Sequence, residues 1–178
     1  MAHARMLDAF VRELLHDYFG DDVLVDGDDY VIPLDALPRI RIIAGTGPTL
    51  RVAAAALVAE SVTVTPDLLT DLNEMNLSLP FGRVVLADDR VLVQTMVMGE
   101  TLDWLQLENA IRFTDWVART YGPDLAHTHG GYAPTEPQPP LPLGDGEVTL
   151  DDRTAGLLDR EDAPTTGGLA GVNAAGYL

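Results

Sequence analysis

Residues 73–99 read NEMNLSLPFGRVVLADDRVLVQTMVMG, and the last strand-like run in this stretch has no polar side. Successive residues of a strand point to opposite faces of its sheet. Val91, Val93, Thr95 and Val97 therefore share one face, and Leu92, Gln94, Met96 and Met98 share the other. A strand that is apolar on both faces needs cover on both. The chain must build a sheet with helices on one face, and something further has to meet the second.

The flanking segments supply the helices. Over residues 5–19, Met6, Leu7, Phe10, Val11, Leu14, Leu15, Tyr18 and Phe19 recur at helical spacing, which predicts a helix with one broad buried stripe. Gly20 then provides its left-handed stop. Thr65-Pro66-Asp67 opens a second helix, with a capping hydroxyl, a proline where no amide partner is needed and a carboxylate at the positive end. Leu68, Leu69, Leu72, Met75 and Leu79 form its expected buried stripe, and Pro80 ends it. A third helix is expected to start at a Thr101 cap and run to about Tyr121, with Ala110, Ile111, Thr114, Val117 and Tyr121 turned inward.

Strands fill the remainder. Runs near residues 23–25, 30–34, 39–44 and 50–58 are rich in Val, Ile and Leu, and Gly27-Asp28-Asp29, Pro38 and Gly45-Thr46-Gly47-Pro48 separate them. The gaps are too short for parallel crossovers, so the strands form an antiparallel meander. Two more strands, near residues 82–86 and 91–98, meet at an Asp88-Asp89 turn. The reading is an α+β fold, an antiparallel sheet with helices packed on it, in the order α-β-β-β-β-α-β-β-α.

From Pro123 the composition shifts. The final 56 residues hold 9 Gly and 7 Pro, with nine carboxylates against two Arg. Such a segment reads as a disordered acidic tail, with brief helical order only over 148–158. The expected division is a domain over residues 1–122 and a tail over 123–178.

Charge and composition narrow the function. A formal charge of −17, with Arg the only strong base, repels phosphate backbones and anionic lipid, so nucleic acid and membrane are not expected partners. Without Cys there are no disulfides and no thiolate chemistry. No apolar run nears a membrane span, and Asp8, Glu13 and Asp17 interrupt the start, so the expected location is cytoplasmic.

No catalytic constellation stands out. Asp26-Gly27-Asp28-Asp29 lacks the later ligands of a calcium loop and reads as a hairpin turn. Gly45-Thr46-Gly47-Pro48 lacks the Lys of a phosphate loop. His127-Thr128-His129 lies next to Gly130-Gly131, where order is expected to fail, with no acidic second shell that can be placed, and Ser61 and Ser78 have no His at relay spacing. The Pro-rich run 134–142 reads as a spacer. No cofactor, metal or catalytic residue is assigned. The candidate surface is instead a protein-binding one on Leu92, Met96 and Met98, where flexible thioethers suit varied apolar partners. The competing expectation is a small-molecule sensor or enzyme with a pocket between sheet and helices and an anion held by Arg83 or Arg41.

The element order, with LNEMN at 72–76 and LPFGRVVLADDRVLV at 79–93, resembles the YbjN family, which is grouped with the type III secretion chaperone-like fold. The resemblance covers about residues 5–122, and the tail has no counterpart in it. It implies a non-enzymatic, chaperone-like or adaptor protein that pairs as a homodimer and binds extended polypeptide segments of a client on apolar patches.

Overall fold

The computed structural model describes residues 2–44 and 49–135. The expected turn at 45–48, most of the expected acidic tail and the segment 148–158 lie outside the described residues. Three helices, α1 (Ala2–Phe19), α2 (Pro66–Ser78) and α3 (Trp104–His129), alternate with six strands. The strands are β1 (Leu24–Asp26), β2 (Asp29–Val31), β3 (Arg39–Ala44), β4 (Leu50–Ala59), β5 (Arg83–Ala87) and β6 (Arg90–Met98). They form one antiparallel sheet in the order β1-β2-β3-β4-β6-β5. The fold is α+β with the expected order of elements.

Register decides which residues meet the helices. Ile40 pairs with Ala54 and Ala54 with Thr95, while Val52 pairs with Val97 and Ala56 with Val93. These residues share the face on which every described helix packs. Under α1 and the first half of α3, Leu7, Val11 and Leu15 bury Tyr30, Ile40, Val52 and Ala54 together with Leu107 and Ile111. Under α2 and the rest of α3, Leu68, Leu72, Phe113 and Val117 bury Val58, Val84, Val91 and Val93. Burying each such aliphatic side chain contributes about 1.5–3 kcal/mol.

Three sequence expectations need correction. On α1 the buried stripe is narrow, because Met6, Phe10 and Tyr18 remain exposed, and on α2 Leu69 faces solvent. A helix lying on a flat sheet buries only the residues nearest it. The cap of α3 is Asp103, whose carboxylate accepts from the Gln106 amide at 2.8 Å, because Gly99–Thr101 forms a 3₁₀ turn first. Finally, α3 passes Tyr121 and continues through Pro123 to His129.

A proline inside a helix costs about 3 kcal/mol, through its missing N–H and its clash with the preceding turn. Packing offsets that cost here. Leu125, Ala126 and His129 are buried, His129 Nε2 is hydrogen-bonded to Asp71 Oδ2 of α2 at 2.8 Å, and the His129 carbonyl accepts from Thr63 at 2.8 Å. Gly122 sits so close to β4 that a Cβ would lie 2.5 Å from the Val58 carbonyl oxygen. The Gly-Pro pair marks a close approach of helix to sheet, although in the sequence it reads as a stop.

The outer edge of β5 is closed by a side chain. Asn76 on α2 accepts from the Val84 amide at 2.8 Å and donates to the Val84 carbonyl at 3.0 Å, imitating a neighbouring strand. Replacing Asn76 with Ala strands both backbone groups, at a cost of about 1–3 kcal/mol. The expected result is a lower urea midpoint and faster exchange of the Val84 amide.

Candidate functional site

The parity that turns Val91, Val93 and Val97 to the helices turns Leu92, Gln94, Met96 and Met98 the other way. Among the described residues no helix packs on this second face. The three expected binding residues are thus neighbours on one face, with unequal access. Leu92 is buried, Met96 is half-buried and Met98 is 49% exposed.

Among the described residues their strand has no partner at its outer edge for about half its length. β5 pairs Arg83–Ala87 with residues 90–94 of β6 and ends there, whereas β4 pairs with β6 as far as Met98. The Gln94 carbonyl points to the β5 side, since it lies 2.9 Å from where a Gly82 Cβ would stand. By the two-residue repeat, Met96 directs its backbone N–H and C=O to the same side, beyond Arg83, the first residue of β5. This edge opens into a groove of 500 Å³ lined by Phe81 and Gly82 before β5, Arg83 at its start, residues 94–97 of β6, and Gln106, Asn109 and Ala110 of α3.

The Pro80-Phe81-Gly82-Arg83 exit shapes one wall. Gly82 has φ +75°, and a Cβ there would meet the Phe113 ring at 2.6 Å. Phe81 stacks at a tilt on Phe113 with ring centroids 4.2 Å apart, and Trp116 and Tyr121 continue this aromatic row along α3. Phe81 and Trp116 are both substantially exposed. The groove therefore offers a strand edge, an aromatic wall and two side-chain amides, which suits a polypeptide backbone with an apolar side chain. It carries no arrangement of nucleophile and base.

On the same face, nearer β1, the register assembles a buried ionic cluster. Arg41 Nε donates to Asp29 Oδ1 at 2.5 Å and its terminal nitrogen to Asp29 Oδ2 at 3.1 Å, while Arg39 bridges to Asp26 at 2.6 Å and Asp29 at 3.4 Å. Asp29 is fully buried. A bidentate guanidinium is the partner that makes such burial tolerable. Arg41 lies on the helix-free face, away from the space between sheet and helices, and Arg83 donates two hydrogen bonds to the Gln94 side-chain oxygen at 3.2 and 2.8 Å.

Sequence reasoning placed Asp29 in a turn and Phe81-Gly82-Arg83 in a fold signature, and it missed Gln106 and Asn109. The spacing of Arg39 and Arg41, both on one face of β3, was the available hint of a carboxylate opposite. His127 and His129 do not form a metal pair, since His129 is held by Asp71 and His127 is exposed. Among the described residues no three His, Asp or Glu side chains gather as a metal-binding group, and no helix is long and apolar enough to cross a membrane.

The family model described as T3SS (YopN, CesT) and YbjN peptide-binding chaperone 1, TY-Chap1, matches residues 5–137. The chain belongs to this family. The TY-Chap1 match extends beyond residue 122, consistent with the continuation of α3 to His129. A solved structure, that of YbjN from E. coli, is similar at 17% identity and a TM-score of 0.48, covering 68% of this chain and 93% of that one. No curated protein matches.

Two substitutions separate groove from cluster. Gly82→Ala forces a side chain into the Phe113 ring at a positive φ and costs about 1–3 kcal/mol. Asp29→Ala leaves two guanidinium groups without their shared carboxylate and costs about 3–5 kcal/mol. Urea denaturation of both variants checks the order of the two losses.

Proposed function

We propose that this TY-Chap1 protein is a non-enzymatic, chaperone-like adaptor that captures an extended segment of another polypeptide at the open edge of β6. The observation that supports this reading is the half-paired strand, whose Met96 edge faces a groove of 500 Å³ with no strand beside it among the described residues. An added strand would take its backbone hydrogen bonds from Met96, and alternate side chains would fall on Phe81 and Ala110 or on Met96 and Met98. Its family description, a peptide-binding chaperone, supports the same class of partner. Leu92 lies on the same face but outside the groove, opposite Val85, whereas Met96 lines the groove and Met98 stands exposed two residues on.

A second reading, self-association, is favoured by the exposed Met6 and Phe10 on α1 together with the open edge. An isologous pair formed through either surface would be a homodimer. Light scattering across a concentration series distinguishes a dimer from a monomer that binds clients.

The test of client capture uses the full chain and a panel of extended apolar peptides in fluorescence polarisation. Met96→Asp with Met98→Asp should weaken binding at least about tenfold, or ~1.4 kcal/mol, with an unchanged circular dichroism spectrum. Equal affinity in the folded double variant would sink the proposal.

A further inference from the structure

At Gly82, where φ is +75°, the chain leaves the line of β5 one residue before that strand begins at Arg83. The place beside Met96 that a longer β5 would take therefore belongs to the groove. Beyond Gln94, only Met96 and Met98 of β6 turn their backbone groups toward it. So short a ladder holds a guest by few hydrogen bonds. An added strand also has a second edge, because alternate peptide groups along it point away from β6. A peptide group that leaves water without a new partner weakens binding more than a made hydrogen bond strengthens it.

One helix of this fold already completes a strand edge with a side chain. Asn76 of α2 accepts from the Val84 amide at 2.8 Å and donates to the Val84 carbonyl at 3.0 Å. A carboxamide suits this work because it carries both a C=O acceptor and an NH₂ donor, the complement of a peptide group. α3 sets two more carboxamides on the groove, those of Gln106 and Asn109. Three residues apart, they are neighbours on one side of the helix with Cβ atoms about 5–6 Å apart. That is close to the roughly 7 Å over which a strand repeats its outward peptide groups. Both residues are exposed, and neither side chain has a hydrogen-bond partner among the described residues. Arg83 and Gln94, in contrast, are bonded to each other across the same groove.

We propose that Gln106 and Asn109 are specificity residues of the β6 site, hydrogen-bonding the peptide groups of the guest that β6 leaves unpaired. This inference rests on the reading that an extended segment docks at Met96. The guest is then held through its backbone from two sides, by the strand edge and by α3. The class of partner follows: an extended, proline-free segment whose side chains are free to vary, since proline lacks the N–H that either side would use.

The test titrates the full chain by fluorescence polarisation with labelled seven-residue peptides of Val, Leu and Thr. The same peptides carry an amide-to-ester replacement at each position in turn, which deletes one N–H without adding bulk. Wild type is compared with a Gln106→Ala, Asn109→Ala variant and with the Met96→Asp, Met98→Asp variant, circular dichroism verifying the fold of each. In the wild type, esters at successive central positions should each weaken binding. The double-alanine variant should bind about tenfold more weakly and lose further affinity only to esters at every second position, where the N–H faces β6. Unchanged affinity of the double-alanine variant, with binding lost in the Met96 and Met98 variant, overturns this inference and leaves the strand-edge reading standing. Weaker binding with an unaltered ester pattern also overturns it, because the carboxamides then meet guest side chains. Failure of the wild type to bind any of the peptides removes the client reading and this inference with it.

Discussion

β4 is the constraint on which the other elements depend. It is the longest strand, it is paired on both sides by β3 and β6, and its centre is Ala53-Ala54-Ala55-Ala56. Small side chains let α3 lie close to the sheet, which the contact of Gly122 with the Val58 carbonyl carries to its limit. The irregularity between Leu57 and Ala59 adds one residue to β4 relative to β6. Val58 and Ala59 can therefore both turn into the helical core, at the end where α2 and the close of α3 converge.

With three helices committed to one face, the other face has to be resolved by different means, and the structure uses two. Toward β1 it buries charge in matched pairs, Asp29 with Arg41 and Arg39. Toward β6 it sets Leu57, Leu92, Met96 and Met98 among Arg51, Arg83 and Gln94, and among the described residues no strand pairs with the outer edge of β6 beyond Gln94. TY-Chap1 proteins are described as peptide-binding chaperones, and a sheet that leaves one strand edge and one face to be completed is suited to that work.

Much of this was legible from local chemistry. Thr65-Pro66-Asp67 reads as a helix start and is one, with the Thr65 hydroxyl accepting from the Leu68 amide at 3.2 Å. The alternation along residues 91–98 predicts the division of β6 between two faces. Expectations failed where tertiary contact overrode a local signal. Pro123 reads as a boundary, but the burial of Leu125, Ala126 and His129 carries the helix past it. Met6, Phe10 and Leu69 have helical spacing and still lie outside the contact, since periodicity cannot report how wide a strip the sheet will cover. The groove was not legible at all, because it exists only where β5 is shorter than β6, and strand lengths reveal no gap until the register is known.

The side-chain clip of Asn76 on Val84 has a consequence for assembly. A sheet with two usable edges can join copies end to end without limit, and such chains of copies are how sheet proteins become fibres. Here the β5 border is clipped at Val84 by an amide, and the far border is β1, three residues long and ending at Asp26 beside the Gly27 turn. Among the described residues, the open length of β6 at Met96 is a short one, and a single added strand would fill it.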